Sequence, residues 1–449
     1  MIEQKAFDLE SEKKPLLVFE GDSGTYRNLA KQLGIEAEIE EAVTSVPTLG
    51  KLASPKVHIV SRSVFDDEQK RKDAFKSIQS LEGSVLALID TLPRSHQADW
   101  VEQLFRAGYR FTTFKSEEAD VLYYYPGEAD PAQVEEGAAY GEAINKARDL
   151  INTPYSHLNA TDLAEYAESL TAYANVEVEV LDKEACEQLG MGAFLGVNAG
   201  SKHPPRLIRV AYRNGGGTPP TALVGKGIMY DTGGYSLKSV QGMPGMKMDM
   251  GGAASVLAAM EAIARLGRET NVDAVVAATD NRIGDDAHVP DDVLKSAAGK
   301  TIEIISTDAE GRLTLADAVW FAKERGAERI IDVATLTGAV VGALGKHHVG
   351  AFSNDDDFYE AFRRTAENNR EKIWRLPVDE AHHETLKSKV ADIKNSGGRP
   401  AAASLAAAFI ETFVGETPWI HLDIAGTAFE DKVGATGVMV KSLADHFRG

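Results

Sequence analysis

Residues 224–238 read V-G-K-G-I-M-Y-D-T-G-G-Y-S-L-K and continue the apolar run T-A-L-V at 221–224. A second stretch, T-D-A-E-G-R-L at 307–313, follows the apolar run T-I-E-I-I at 301–305 and precedes a helical pattern. Each apolar run predicts a buried strand. In open α/β sheets, groups beyond the carboxyl ends of neighbouring strands share one crevice. We therefore expect the two strands to end side by side and to bring both charged stretches together.

These two stretches, with M-K-M-D at 246–249, contain a dense set of charged groups. They are Lys226, Asp231, Lys238, Asp249, Asp308, Glu310 and Arg312. A single charged loop residue is usually just solvated, but carboxylates that converge without compensation repel one another strongly. Two dications would contribute +4 against −4 from the carboxylates, and Lys238 and Arg312 would leave the site positive. The set predicts a two-metal hydrolytic centre that favours an oxyanion or a small bound anion.

The overall composition limits the class of protein. A chain of 449 residues is expected to form two domains. The net charge of −20 argues against nucleic acid or an anionic membrane as the main partner. Cys186 is the single cysteine, so no intrachain disulfide can form, which fits a reducing compartment. With neither a signal-peptide pattern nor a long apolar run in the sequence, we expect a cytoplasmic protein without a membrane span.

Apolar runs alternate with amphipathic stretches along most of the chain, which predicts α/β architecture. Residues 15–125 follow this pattern without a phosphate-binding or dinucleotide-binding glycine motif. Pro126-Gly127 and Asp130-Pro131 then mark a boundary. The predicted organisation is an N-terminal α/β domain with a structural or assembly role, a linking helix and a catalytic domain, at 1–130, 131–152 and 153–449.

Several motifs between about 137 and 449 resemble those of the leucyl aminopeptidase family, dinuclear metallo-exopeptidases, and most closely its bacterial peptidase B branch. Besides the two charged stretches, they are A-R-D-L-I-N-T-P (147–154), G-V-N-A-G-S (196–201), A-T-L-T-G-A (334–339), W-R-L-P (374–377), W-I-H-L-D-I-A-G-T-A (419–428) and G-A-T-G (434–437). The resemblance implies a smaller N-terminal α/β domain and a C-terminal α/β/α catalytic domain with a mixed central sheet. It also implies two divalent ions, Mn²⁺ or Zn²⁺, and a homohexamer.

The resemblance implies a role for each charged residue. The metal ligands would be Lys226, Asp231, Asp249, Asp308 and Glu310. Of these, Asp231 and Glu310 would bridge both metals, and Lys226 would bind as a neutral amine. Lys238 would stabilise the oxyanion, and Arg312 would hold a bicarbonate ion. Because metals occupy every carboxylate and no histidine lies in these motifs, that anion would be the general base. The reaction would be attack of an activated water on the first peptide bond of a substrate with a free N-terminus.

Other residues and alternatives carry less weight. The resemblance places Met246, Thr335 and Gly338 in the pocket for the first residue, although packing would explain all three. His421 is expected in the core, and His382-His383 in an exposed helix. Ser306 replaces the usual asparagine before T-D-A-E-G-R. A two-metal phosphoesterase is the second enzymatic reading, disfavoured by the missing histidine ligands. A DNA-binding or architectural protein is the third, disfavoured by the net charge.

Overall fold

The computed structural model describes residues 2–35, 38–116, 120–431 and 433–448. The chain divides into two compact units, Met1–Asn145 and Lys146–Gly449. Each unit combines helices with a sheet that contains parallel strands, which confirms the predicted two-domain α/β class. No helix in the described part of the chain combines the length and apolar character that crossing a bilayer needs.

The first unit is built on a six-stranded sheet. Its strands are β1 (Ile2–Gln4), β2 (Leu16–Phe19), β3 (Val43–Pro47), β4 (Lys56–Val60), β5 (Val85–Leu88) and β6 (Leu122–Tyr125), and its helices are α1 (Gly24–Leu33), α2 (Glu68–Gln79) and α3 (Gln97–Ala107). The strand order is β1-β6-β5-β2-β4-β3, parallel except for β3. Alternate residues of β2 enter different apolar clusters, Leu17 with Trp100 and Leu16 with Leu29, because successive strand residues face opposite sides of a sheet. Helix α4 (Pro131–Asn152) follows β6.

The second unit contains most of the regular structure. Its strands are β7 (Val176–Leu181), β8 (Arg206–Arg213), β9 (Thr221–Asp231), β10 (Asn271–Asn281), β11 (Val293–Lys295), β12 (Thr301–Glu303), β13 (Arg329–Ala334), β14 (Val349–Ser353), β15 (Ile373–Arg375), β16 (Ile393–Lys394), β17 (Trp419–Asp423), β18 (Phe429–Glu430) and β19 (Gly434–Ala435). Its helices are α5 (Ala160–Ser169), α6 (Lys183–Gln188), α7 (Gly192–Asn198), α8 (Gly251–Arg265), α9 (Gly311–Glu324), α10 (Gly338–Leu344), α11 (Asp356–Asn368), α12 (Glu380–Thr385), α13 (Ala402–Val414) and α14 (Val440–Asp445). The main sheet has the order β15-β14-β17-β13-β9-β10-β8-β7 and mixes parallel and antiparallel pairs, as predicted.

Helices cover both faces of β9 at the centre of this sheet. Val224 packs in an apolar cluster with Leu315 of α9. The next residue, Gly225, faces α8 so closely that a Cβ there would lie 2.6 Å from the Cα of Ala253. In α8, a Cβ on Gly252 would lie 1.9 Å from the carbonyl oxygen of Val333 in β13. Glycine is therefore required at these two contacts between α8 and the sheet.

Two details of the predicted strands are wrong. Strand β9 continues to Asp231 instead of ending at 224, because Lys226 stays paired in register with Ala277 of β10. Strand β12 ends at Glu303 and belongs to a separate three-stranded sheet of order β11-β12-β16, so it does not end beside β9. The loop at 304–310, not a neighbouring strand of the same sheet, returns the second charged stretch to the end of β9.

Candidate metal centre

The charged residues of both stretches gather at the carboxyl end of β9. They come from β9 and the loop after it, the 3-10 turn Met246–Met250, the loop at 304–310 and the start of α9. The residues are Lys226, Asp231, Lys238, Asp249, Asp308, Glu310 and Arg312. Oxygens of Asp231, Asp308 and Glu310 all lie within 4.8 Å of one another, so these carboxylates could hold a metal ion. Glu310 is also the N-cap of α9, where the helix dipole favours negative charge.

Lys226 lies inside the cluster and contacts two of its carboxylates. Its Nζ is 2.8 Å from Oδ1 of Asp249 and 3.0 Å from Oε1 of Glu310, and it donates to the carbonyl oxygen of Thr335 at 3.0 Å. A Cβ on Gly311 would lie 2.4 Å from its Cε, so the glycine makes room for the lysine. Burial alone would lower the pKa of Lys226, but the carboxylates outweigh burial and raise it. The three oxygen contacts of its Nζ suit a protonated amine.

Lys238 closes the other side of the cluster. Its Nζ is 2.6 Å from Oδ2 of Asp231 and 2.5 Å from Oδ1 of Asp308. The other oxygen of Asp231 accepts two hydrogen bonds at 2.8 Å, from the amide of Gly233 and from Nδ2 of Asn281. Burial opposes the charge of Lys238, but the neighbouring carboxylates prevail and raise its pKa. A second fixed positive charge therefore lies between two carboxylates.

The two lysines compensate the carboxylates of the cluster only in part. Burial raises the pKa of the carboxyls of Asp249, Asp308 and Glu310 above their ordinary values. Among the described residues, Oδ2 of Asp249 and Oε2 of Glu310 are buried without a hydrogen-bond partner. Buried carboxylate oxygens without a partner are costly, and hard cations such as Mn²⁺ or Mg²⁺ prefer oxygen ligands. The donor set therefore fits divalent ions.

Arg312 supplies a buried donor next to these carboxylates. Its Nη1 donates to the carbonyl oxygen of Asn395 at 2.8 Å, while its Nε is buried without a partner among the residues that the structure describes. Burial lowers the pKa of Arg312 to about 10. A buried guanidinium with a donor to spare can bind a small anion.

The three predicted pocket residues lie at different depths. Thr335 is buried, and its Oγ1 donates to Oδ1 of Asp249 at 2.8 Å, so it positions a carboxylate. Met246 is half-buried at the start of the 3-10 turn, and Gly338 is exposed as the first residue of α10. Their contact with substrate stays a prediction.

The histidines have other partners. His421 is fully buried, with Nδ1 2.6 Å from a carboxylate oxygen of Asp332, which confirms it as a core residue. His383 lies in α12 with its Nε2 2.8 Å from Oε2 of Glu411. None of the residues of α12 is buried, in keeping with the predicted exposed helix, although His382 and His383 themselves are half-buried.

Two asparagines at this site were not predicted from the sequence. Asn281 donates from Nδ2 to Asp231 and to the carbonyl oxygen of Thr307, at 2.8 and 2.9 Å. Asn395 bonds to the loop at 304–310. Asn281 is the last residue of β10 and Asn395 directly follows β16. A buried amide at the end of a strand needs specific partners. That pattern is a usable signal, but it does not identify the partners.

The fold and the donor set together define an open α/β protein with a carboxylate cluster that could hold a metal ion at the carboxyl end of a central strand. Residues 145–444 match the model of the catalytic domain of the cytosol aminopeptidase family, and the chain therefore belongs to that family. A probable cytosol aminopeptidase of Bacillus subtilis (strain 168) is 51% identical over 316 residues, 69% of this chain. The chain spans 63% of that relative's length. The predicted family resemblance is confirmed.

Proposed function

We propose that this chain is a dinuclear-metal aminopeptidase that removes the N-terminal residue of peptides. The observation that carries the proposal is the buried group of carboxylates with unpartnered oxygens on Asp249 and Glu310. The family match supports the same reaction class. The relative from Bacillus subtilis is named a probable cytosol aminopeptidase, which supports peptide substrates for this chain. Assembly as a homohexamer and a cytoplasmic location stay predictions.

The chain offers a complete set of donors for two ions. They are Lys226, Asp231, Asp249, Asp308 and Glu310. The carboxylates fall into two groups by the lysine that they contact. Asp249 and Glu310 contact Lys226, and Asp231 and Asp308 contact Lys238. Bound Mn²⁺ or Zn²⁺ would supply a water of low pKa and polarise the scissile carbonyl. Lys226 must lose its proton to act as a ligand, because only a neutral amine has a lone pair to donate.

Two cations of the chain would act on the substrate side. Lys238 has a side chain that is 18% exposed, so it is reachable from solvent while still bonded to Asp231 and Asp308. Its ammonium would stabilise negative charge that develops on the carbonyl oxygen. Arg312, with its spare Nε, would hold bicarbonate, which would supply a general base that the cluster itself lacks. Met246, Thr335 and Gly338 would contact the first side chain of the substrate.

The direct test is a panel of X-Gly dipeptides with Mn²⁺ or Zn²⁺ added to chelator-treated protein. We expect release of the free N-terminal amino acid, and no cleavage of N-acetylated versions of the same peptides. Cleavage of acetylated peptides would contradict the exopeptidase assignment. Faster hydrolysis of p-nitrophenyl phosphate than of any dipeptide would favour a phosphoesterase instead, and salt-dependent retardation of duplex DNA would favour the architectural alternative.

A further inference from the structure

Asn395 is a fully buried residue that is bonded to the loop at 304–310 through its side chain. Its Oδ1 accepts hydrogen bonds from the amides of Ile305 and Ser306, at 2.8 and 3.3 Å. Its Nδ2 donates to the carbonyl oxygens of Ser306 and Ala309, at 2.7 and 3.3 Å. One carboxamide therefore supplies two donors and accepts two bonds along a segment that has no regular secondary structure.

The main chain of Asn395 extends the same connection. Its amide donates to the carbonyl oxygen of Glu303 at 2.9 Å, which continues the pairing of β12 with β16. Its carbonyl oxygen accepts the bond from Nη1 of Arg312 at 2.8 Å. The loop that carries two carboxylates and the arginine that follows them are thus bonded to a single residue.

The other side of the loop is bonded to the segment after β9. Thr307 donates from Oγ1 to the carbonyl oxygen of Gly233 at 2.6 Å, and the same Oγ1 accepts from the amide of Ser236 at 2.7 Å. The carbonyl oxygen of Thr307 accepts from Asn281. Asp308 follows directly, so its position depends on bonds made on both sides of the loop. On the side away from β9, the side-chain bonds come from Asn395.

We propose that Asn395 is a positioning residue that fixes Asp308 and Glu310 for binding divalent ions and holds Arg312 beside them. This inference rests on the proposed function, because it takes the carboxylate cluster to be a metal site. A carboxamide suits the position because it offers an acceptor and two donors on one planar group. An aspartate would keep the acceptors but place a carboxylate against the carbonyl oxygens of Ser306 and Ala309. Partners that orient metal ligands are typically worth about 10- to 100-fold in metal affinity or activity.

The test is a Mn²⁺ titration of the chelator-treated, full-length chain by electron paramagnetic resonance. The proteins are the wild type, Asn395→Ala, Asn395→Asp and a matched control, Asn271→Ala. Asn271 is also buried, donates to the carbonyl oxygens of Gly216 and Thr218 and accepts from the amide of Gly215, but it lies at the opposite end of β10 from Asn281. We expect the Asn395 variants to bind Mn²⁺ about 10- to 100-fold more weakly. The Asn271 variant should keep wild-type affinity for Mn²⁺ even if its Tm falls as far as that of the Asn395 variants.

Wild-type Mn²⁺ affinity in the Asn395 variants would overturn the positioning role while leaving the proposed function intact. Equal loss of affinity in Asn271→Ala would also overturn it, since general destabilisation would then explain the effect. Wild-type protein that binds no Mn²⁺ would contradict the proposed function itself. If Asn395→Ala does not fold, the nearly isosteric Asn395→Asp decides the question with the same titration.

Discussion

The two units of the chain have similar sheets but different chemistry at the carboxyl ends of their strands. In the first unit, the segments after β2, β5 and β6 line a cavity of about 530 Å³. Its ion pair between Arg94 and Asp130 is at the surface, with the arginine side chain 82% exposed. In the second unit, the side chains of Lys226 and Glu310 are 3% and 2% exposed. Open α/β sheets bind ligands at this edge. The two edges therefore differ in how far their charged groups are buried, and this burial is the reason why the proposed metal centre is assigned to the second unit.

The largest effect should follow from Lys238→Ala. Removing the ammonium between Asp231 and Asp308 takes away the group that would stabilise the oxyanion, so kcat for leucine-p-nitroanilide should fall about 10²- to 10³-fold. Lys183→Ala is the control, because Lys183 belongs to an exposed ion pair with Glu187. Near wild-type hydrolysis by Lys238→Ala would contradict the proposed role of this residue in stabilising the oxyanion.

A methyl group at Gly311 tests how tightly the second unit packs its charged residues. In Gly311→Ala the added Cβ would lie 2.4 Å from Cε of Lys226, a buried side chain that is bonded to Asp249, Glu310 and the carbonyl oxygen of Thr335. We expect Mn²⁺ affinity and activity to fall by about 10- to 100-fold. Gly342→Ala is the matched control, since an added Cβ meets nothing within 4 Å and α10 should gain up to about 1 kcal/mol. Equal activity in the two variants would show that Lys226 is not constrained.

Thr91 tests the corresponding edge of the first unit. It is buried after β5, where its Oγ1 accepts from the amide of Phe19 at 2.9 Å and donates to the carbonyl oxygen of Leu88 at 2.6 Å. Thr91→Val leaves both backbone groups without this partner, so the free energy of unfolding should fall by about 1–3 kcal/mol. Activity at a temperature where the variant is folded should stay at the wild-type level. A large loss of kcat there would give this edge a role in catalysis.

Arg94→Ala should have the smallest effect. The ion pair of Arg94 with Asp130 is solvated, and exposed pairs contribute little to stability. Thermal unfolding and dipeptide hydrolysis should both match the wild type. A clear change in either property would show that the exposed charges of the first unit also contribute to stability or activity, which the account does not expect.

The sequence predicts the elements of this fold well because apolar periodicity and turn residues are local. Helical patterns at 24–33, 97–107 and 402–414 predict three helices, and α1, α3 and α13 begin and end at those residues. The motifs also single out Lys226 and Glu310, which the structure places 3.0 Å apart. Strand neighbours are not local, so the sequence misplaced β12, which pairs with β11 and β16 and not in the main sheet.

The parts of the site that the sequence does not predict depend on distant partners. Asn395 is bonded to a loop that lies far earlier in the chain, since 90 residues separate it from Ile305. Nothing in I-K-N-S-G-G identifies that loop. The raised pKa of Lys226 likewise depends on Asp249 and Glu310, which folding brings to it. Such residues are recognised only when the tertiary contacts are known.

The central claim is that the buried carboxylates bind two divalent ions that are needed for peptide hydrolysis. The most direct measurement counts Mn²⁺ bound per chain during a titration of chelator-treated protein and follows leucine-p-nitroanilide hydrolysis in the same samples. The account predicts no hydrolysis without metal, and hydrolysis that rises to a plateau at two ions per chain. Full hydrolysis after complete metal removal, or a plateau of activity without bound Mn²⁺ or Zn²⁺, would contradict it.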